Sequence, residues 1–296
     1  MAELKEWRVV DLLKTTADYF AVKHVDEPRI SSELLLGHVL SKTRLQLYLH
    51  HDQQLSQGEL DRFRALCRQR LDGRPVQYIT GEQFFYGLRF FVDERVLIPR
   101  PETELLLEHA LDSLGMSARG GNVEATLLDI GTGSGCIAVA MAKRSPLLRV
   151  VAVDCSADAL EVARINAAQH NVKSQITFIH ASMFEPDFAA RLPAIRYELI
   201  LSNPPYIPRP EWEGLQREVR HYEPEIALTT ADGTECYRAI AALAPALLVS
   251  GGMLAFELHA DGAATVSEMM AGHGFTGITV AKDYAGLDRI ISGRVY

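Results

Sequence analysis

The spacing of hydrophobic residues changes twice along this chain. Over roughly the first 75 residues it is helical. Leu60, Phe63, Leu66 and Leu71 fall near a 3.6-residue period, with Arg62, Arg64, Arg68 and Arg70 in the gaps. Ser31-Ser32 precedes the apolar run 34–40 and predicts an N-cap at the start of a buried helix. With Pro28 its one proline before the junction and no alternating pattern, the segment 1–75 predicts a small helical domain. Residues 76–100 are aromatic and β-branched around Gly87, which predicts two strands about a turn, a β-hairpin linker between domains. Pro99 and Pro101 stop the strand, and residues 102–114 follow as a helix whose early acids suit the helix dipole.

From residue 125 short apolar runs alternate with helical stretches. Strands are predicted at 125–130, 149–154, 175–180, 197–202 and 251–257, with helices at 136–143, 157–169 and 235–248. This alternation predicts βαβ units and an α/β, doubly wound, mostly parallel sheet over 101–296. The last two runs, 274–280 and 287–295, are too close for a crossover and predict an antiparallel edge hairpin, which makes seven strands.

At 296 residues, the chain has room for two domains, and 48% hydrophobic with 23% charged residues is ordinary globular composition. No apolar run reaches the roughly 18 residues that cross a bilayer, and the first 20 residues mix acids and bases without an apolar secretory core. A net charge of −8 argues against bulk nucleic-acid binding. Cys67, Cys136, Cys155 and Cys236 are scattered, as expected for free thiols in a reducing cytoplasm, and His50-His51 diverge too much to share a metal. Against the acidic background, Arg62, Arg64, Arg68, Arg70 and Arg74 crowd one segment, either a solvated face or a docking face for a partner.

The chemistry concentrates at two strand ends. Asp129-Ile-Gly131-Thr132-Gly133-Ser134-Gly135 follows the first strand and opens a helix. Glycines there allow a tight turn and close approach of a ligand, and a helix start offers N–H donors to an anionic group. Asp154 ends the next strand, about 20 residues on, where a carboxylate can take a ribose hydroxyl pair. Glycines at i, i+2 and i+4, with Cys136 in place of a third small residue, do not fit the G-x-G-x-x-G nicotinamide fingerprint. The D-x-G-x-G-x-G form is similar to the S-adenosylmethionine loop of class I methyltransferases.

Asn203-Pro204-Pro205-Tyr206 ends the strand 197–202. Two prolines remove two donors and stiffen the turn. The Asn203 oxygen and the Pro204 carbonyl can then accept both hydrogens of one planar NH2, while the Tyr206 ring covers its face. Such a site aims the delocalised lone pair of an amide or ring amine at a sulfonium methyl.

The chain resembles the glutamine N5-methyltransferases of class I release factors, the HemK/PrmC family. The resemblance rests on 97–104 (Leu-Ile-Pro-Arg-Pro-Glu-Thr-Glu), the loop 129–135, Asp154, 203–206, Glu223-Pro224, Asp232-Gly233 and 283–290. It implies that Gly131 to Gly135 and Asp154 hold S-adenosylmethionine, beside Asn203, and that Asn203 to Tyr206 hold the glutamine of a Gly-Gly-Gln loop. A cytoplasmic monomer is expected, without direct nucleic-acid or membrane contact, whose N-terminal domain docks class I release factors through the arginine-rich segment. Where relatives carry an Asp and an aromatic residue near the adenine, this chain has Ser182 and Met183, and the Met183 thioether can pack on the ring. The alternatives are a ribosomal-protein glutamine methyltransferase, whose segment corresponding to 97–104 reads differently, and a DNA or RNA adenine-N6 methyltransferase, which shares Asn-Pro-Pro-Tyr. A silent interaction module would not need both loops.

Overall fold

The computed structural model describes residues 6–116 and 121–296. Contacts group the chain into two units, one of residues 1–82 with 216–222, the other of 83–215 with 223–296.

The first unit holds α1 (Val9–Val22), α2 (Pro28–Leu40), α3 (Arg44–Leu49), α4 (Gln57–Leu71) and α5 (Val76–Thr80), with α10 (Arg217–Tyr222) from later in the chain. Phe20, Leu35, Leu36, Leu47 and Phe63 form its core. Two expectations are corrected here. Ser31-Ser32 is not an N-cap: Pro28, with its φ preset for a helix, starts α2 three residues earlier, and both serines are buried within it. The side-chain caps are Thr43 and Ser56, each in a capping box with Gln46 or Glu59. Residues 76–80 are helical rather than extended, set between Pro75 and a left-handed Gly81.

Arg70 is not on the exposed basic face. It lies seven residues after Phe63, on the buried side of α4, and donates to Glu218 of α10 at 2.5 Å and to Ser31 Oγ at 3.3 Å. Exposed on this helix are Arg62, Arg64 and Arg68, and Arg64 is paired with Asp61 at 3.2 Å.

From the boundary at Glu82 into the second unit, β1 (Glu82–Phe85) and β2 (Leu88–Phe91) form a hairpin turned by Tyr86-Gly87, both at positive φ. Then come α6 (Thr103–Ser113), β3 (Ala125–Ile130), α7 (Cys136–Arg144), β4 (Leu148–Asp154), α8 (Ala157–Gln169), β5 (Ile176–His180), α9 (Phe188–Arg191) and β6 (Tyr197–Ser202). A short parallel pair, β7 (Ile207–Pro208) and β8 (Thr229–Thr230), precedes α11 (Glu235–Leu247), β9 (Leu248–Glu257), α12 (Ala263–Gly272), β10 (Thr276–Lys282) and β11 (Asp288–Arg294).

The seven-stranded sheet runs β10-β11-β9-β6-β3-β4-β5, parallel except for β11, which is antiparallel to both neighbours. The predicted α/β sheet and its terminal hairpin are thus observed. Apolar layers cover both faces, one including Leu106, Ile137 and Val139, the other Ile240, Phe256 and Met270. Phe85 and Phe90 of the hairpin belong to the first layer. Asn166 of α8 fastens the hairpin: Phe91 N–H donates to its Oδ1 at 2.7 Å, and its Nδ2 donates to the Phe91 carbonyl at 3.0 Å and the Ser134 carbonyl at 2.8 Å. After β3 the chain builds outward to β5 and then returns to place β6 on the other side of β3. That reversal is the switch point at which open α/β sheets bind ligands.

Candidate active site

At this switch point the carboxyl ends of β3, β4 and β6 open on a cavity of about 350 Å³. Of the residues singled out from sequence, Gly131, Gly133, Asp154, Met183, Asn203 and Pro205 line it. Thr132, Ser134, Gly135, Pro204 and Tyr206 are not in its wall as described.

The three glycines have different reasons to be glycine. All have positive φ, but a Cβ on Gly131 or Gly133 would meet nothing within 4 Å, whereas one on Gly135 would sit 3.0 Å from Ala163 Cβ. Gly131 and Gly133 thus leave bare backbone beside the cavity, and Gly135 lets the loop pack on α8. Part of the expected supply of free N–H donors is spent within the loop and on its neighbours. Gly131 and Thr132 donate to the Val153 carbonyl, Gly133 to Asp154 Oδ2 at 2.8 Å, and Gly135 to the Thr132 carbonyl. The tight winding of the loop turns the first three of these groups onto β4 and the last onto the loop itself. Thr132 donates its hydroxyl to buried Asp129 at 2.6 Å, so its side chain shapes the loop from within.

Asp154 also accepts from Ser156 N–H through Oδ1 at 2.9 Å, at the head of α8. Burial pushes its carboxyl up, and the two N–H donors counteract that. Near Met183, Ser182 N–H donates to Glu185, whose carboxylate is paired with Arg191. Ser182 therefore brings no negative charge of its own to this wall.

Asn203 projects from the end of β6. Its Nδ2 donates to Thr103 Oγ1 at 3.0 Å, while its Oδ1 has no hydrogen-bond partner among the described residues. Segments around the acceptor turn are tied to one another. Glu223 accepts from Arg100 at 2.6 Å and from Ile98 N–H at 3.2 Å, which joins two segments of the sequence resemblance. Gly233, at positive φ, approaches so closely that a Cβ would lie 2.8 Å from the Tyr206 carbonyl. The Tyr206 hydroxyl donates to Glu257 at 3.3 Å, which anchors the ring's polar end outside the cavity wall.

Sequence reasoning missed Phe184, Ile226, Glu235 and Cys236 in the cavity wall, and Thr103 and Glu257 behind it. Thr103 lies within the 97–104 segment, a signal that was available. Phe184, in a turn, and Ile226, in the single helical turn Glu225–Ala227, are exposed apolar residues with no periodic pattern to mark them.

Two buried carboxyls in this unit are pushed up to about 7 by burial, Asp129 and Glu257. Each holds its proton more tightly folded than unfolded. Their stabilising contribution is complete below the ordinary carboxylate range and is lost as pH rises through about 7. Urea unfolding between pH 5 and 8 should show a smaller fall in stability for Glu257→Gln than for the unaltered chain. Parallel curves for the two proteins would contradict the assignment for Glu257.

Residues 11–81 match the family described as PrmC N-terminal domain, and residues 101–213 match the methyltransferase small domain. A release factor glutamine methyltransferase of Chlorobaculum tepidum is 56% identical over 292 residues, 99% of each chain. Another of that name, from Geobacter sulfurreducens, is 42% identical over 98% of this chain and 97% of its own. Among solved structures, a methyltransferase from Pyrococcus furiosus matches with a TM-score of 0.50 at 18% identity, covering 71% of this chain and 90% of its own, which speaks to the fold alone.

Proposed function

Because the chain belongs to the family of release factor glutamine methyltransferases, we propose that the cavity at the ends of β3, β4 and β6 is where a glutamine side chain receives its methyl group. The enzyme methylates the side-chain amide nitrogen, N5, of a release factor glutamine. The reading extends to class I factors and the glutamine of their Gly-Gly-Gln loop. The observation that carries the site assignment is Asn203, whose Nδ2 is engaged outside the cavity and whose Oδ1 is left to accept.

The cavity wall suits S-adenosylmethionine. Bare glycine backbone at Gly131 and Gly133 can face its methionine part, the Asp154 carboxylate its ribose, and the Met183 thioether its adenine. Thr132, Ser134 and Gly135 shape the loop. When bound, this cofactor supplies a methyl group already activated as a sulfonium. The chain's own work is then to aim a weak nucleophile.

An amide nitrogen shares its lone pair with the carbonyl. Asn203 Oδ1 and the Pro204 carbonyl, accepting its two hydrogens, raise electron density on nitrogen and turn the lone pair toward the methyl. Pro204 and Pro205 keep this turn stiff, and Tyr206 fixes its end through Glu257. The methylated nitrogen is acidic and loses its proton to water, so no strong base is required.

The helical region 1–75 is proposed to dock the release factor, with residues 76–100 leading into the catalytic domain at 101–296. A loop glutamine offers little area for recognition, so a second contact is needed. Among the described residues no helix is long and apolar enough to cross a membrane. A cytoplasmic monomer without direct nucleic-acid contact completes the proposal.

Mass spectrometry of a purified class I release factor incubated with the enzyme and labelled S-adenosylmethionine tests the reading. One methyl on the Gly-Gly-Gln glutamine is expected. An unmodified factor, or label on adenine of added RNA instead, would overturn it.

A further inference from the structure

Asn203 is one end of a hydrogen-bonded chain that leads away from the cavity. Its Nδ2 donates to Thr103 Oγ1 at 3.0 Å, and Thr103 donates its hydroxyl to Glu257 Oε2 at 2.5 Å. The Tyr206 hydroxyl donates to Glu257 Oε1 at 3.3 Å. Thr103 and Glu257 are 2% and 1% exposed, and neither lines the cavity.

The direction of these bonds decides which face Asn203 presents. An asparagine amide keeps nearly the same shape when turned by half a revolution, but one orientation offers an acceptor and the other two donors. Only the first can take a hydrogen from a substrate NH2. A hydroxyl has one hydrogen to give. That of Thr103 is committed to Glu257, so Thr103 can accept from Nδ2 but has nothing to offer Oδ1. Above about pH 7, where Glu257 is ionised, it sets the direction because both of its oxygens accept. Burial holds the Tyr206 phenol protonated and so keeps it a donor to the second oxygen.

We infer that Thr103 and Glu257 are positioning residues for methyl transfer, whose hydrogen bond holds the Asn203 amide with Oδ1 toward the acceptor nitrogen. This rests on the reading of Asn203 as the group that accepts the substrate's amide hydrogen. It reaches beyond the two loops into α6 and β9, neither of which touches substrate in that reading. Valine keeps nearly the shape of Thr103 and removes only the hydroxyl that Asn203 and Glu257 share.

The test compares Thr103→Val, Thr103→Ser, Asn203→Ala and the double variant Thr103→Val/Asn203→Ala, as full chains with a whole release factor at pH 8. Melting temperature and S-adenosylmethionine affinity are measured on each, and Thr103→Ser serves if Thr103→Val folds poorly. Thr103→Val should lower kcat roughly tenfold, with KM for the release factor within about twofold, since the lost contact acts in the transition state. Thr103→Ser should restore kcat to within about threefold by keeping the hydroxyl. In the Asn203→Ala background, Thr103→Val should cost nothing more, because it acts through Asn203. Full kcat in Thr103→Val beside a large loss in Asn203→Ala would overturn the inference and leave the Asn203 reading standing. An additive loss in the double variant, or no rescue by serine, would also overturn it. Wild-type kcat in Asn203→Ala would remove the Asn203 reading, and the inference with it.

Discussion

Asn203→Ala is expected to lower kcat about 100-fold or more while leaving cofactor affinity within about twofold. The side chain reaches the cavity from the end of β6 with Oδ1 unengaged, so its removal deletes an acceptor present only for the substrate nitrogen. Charge develops on that nitrogen as it attacks, and a preorganised acceptor is worth most at that moment. The glycine loop and Asp154 are held by separate bonds, to Val153 and Ser156, that the substitution does not touch. Loss of Nδ2 from Thr103 costs about 1 kcal/mol of stability, small enough for the variant to stay folded. Single-turnover methylation of a release factor, with calorimetric titration of S-adenosylmethionine alongside, checks both halves. A wild-type rate would refute the role of Asn203, and a parallel loss of cofactor affinity would mean that it serves the cofactor instead.

The parts of this site that were legible in sequence are those made by neighbours along the chain. A glycine loop after an apolar run, an acid at the next strand end and a proline-stiffened turn are local patterns, and the parallel sheet gathers the strand ends that carry them. What the loop does with its N–H groups was not legible, because Gly131 and Thr132 spend theirs on Val153, a partner fixed only by the pairing of β3 with β4. The bond from Thr103 to Glu257 spans 154 positions, and no period or spacing links them. Asn166 likewise reads as an ordinary polar residue of a helix, yet it holds both the hairpin and the glycine loop. Local rules also failed where two of them competed. Ser31-Ser32 is a good N-cap by composition, but Pro28 had already started the helix. Arg70 is charged and was assigned to the surface, while its place one heptad from Phe63 put it inside, where Glu218 supplies the charge it needs.

Asp154→Ala is the complementary variant, and its effect should fall on the cofactor. A charge-assisted contact to the ribose is worth about 1.5–3 kcal/mol, so S-adenosylmethionine should bind roughly 10- to 100-fold more weakly. The carboxylate also has structural work, since it accepts from Gly133 N–H and Ser156 N–H and thereby ties the glycine loop to the head of α8. Alanine removes both functions at once. Asp154→Asn separates them: its one oxygen can keep a single N–H partner, and its charge is gone. If the ribose contact dominates, asparagine should bind the cofactor nearly as weakly as alanine while unfolding at a higher temperature. If loop support dominates, affinity and melting temperature should recover together. In either case kcat at saturating S-adenosylmethionine should stay within a few-fold of wild type, because Asn203 and its turn are intact, and this opposes the pattern expected of Asn203→Ala. Calorimetry on folded Asp154→Ala is decisive, since unchanged S-adenosylmethionine affinity would show that the acid at the end of β4 does not hold the cofactor. Tight NADH binding by the unaltered chain would overturn the choice of cofactor itself.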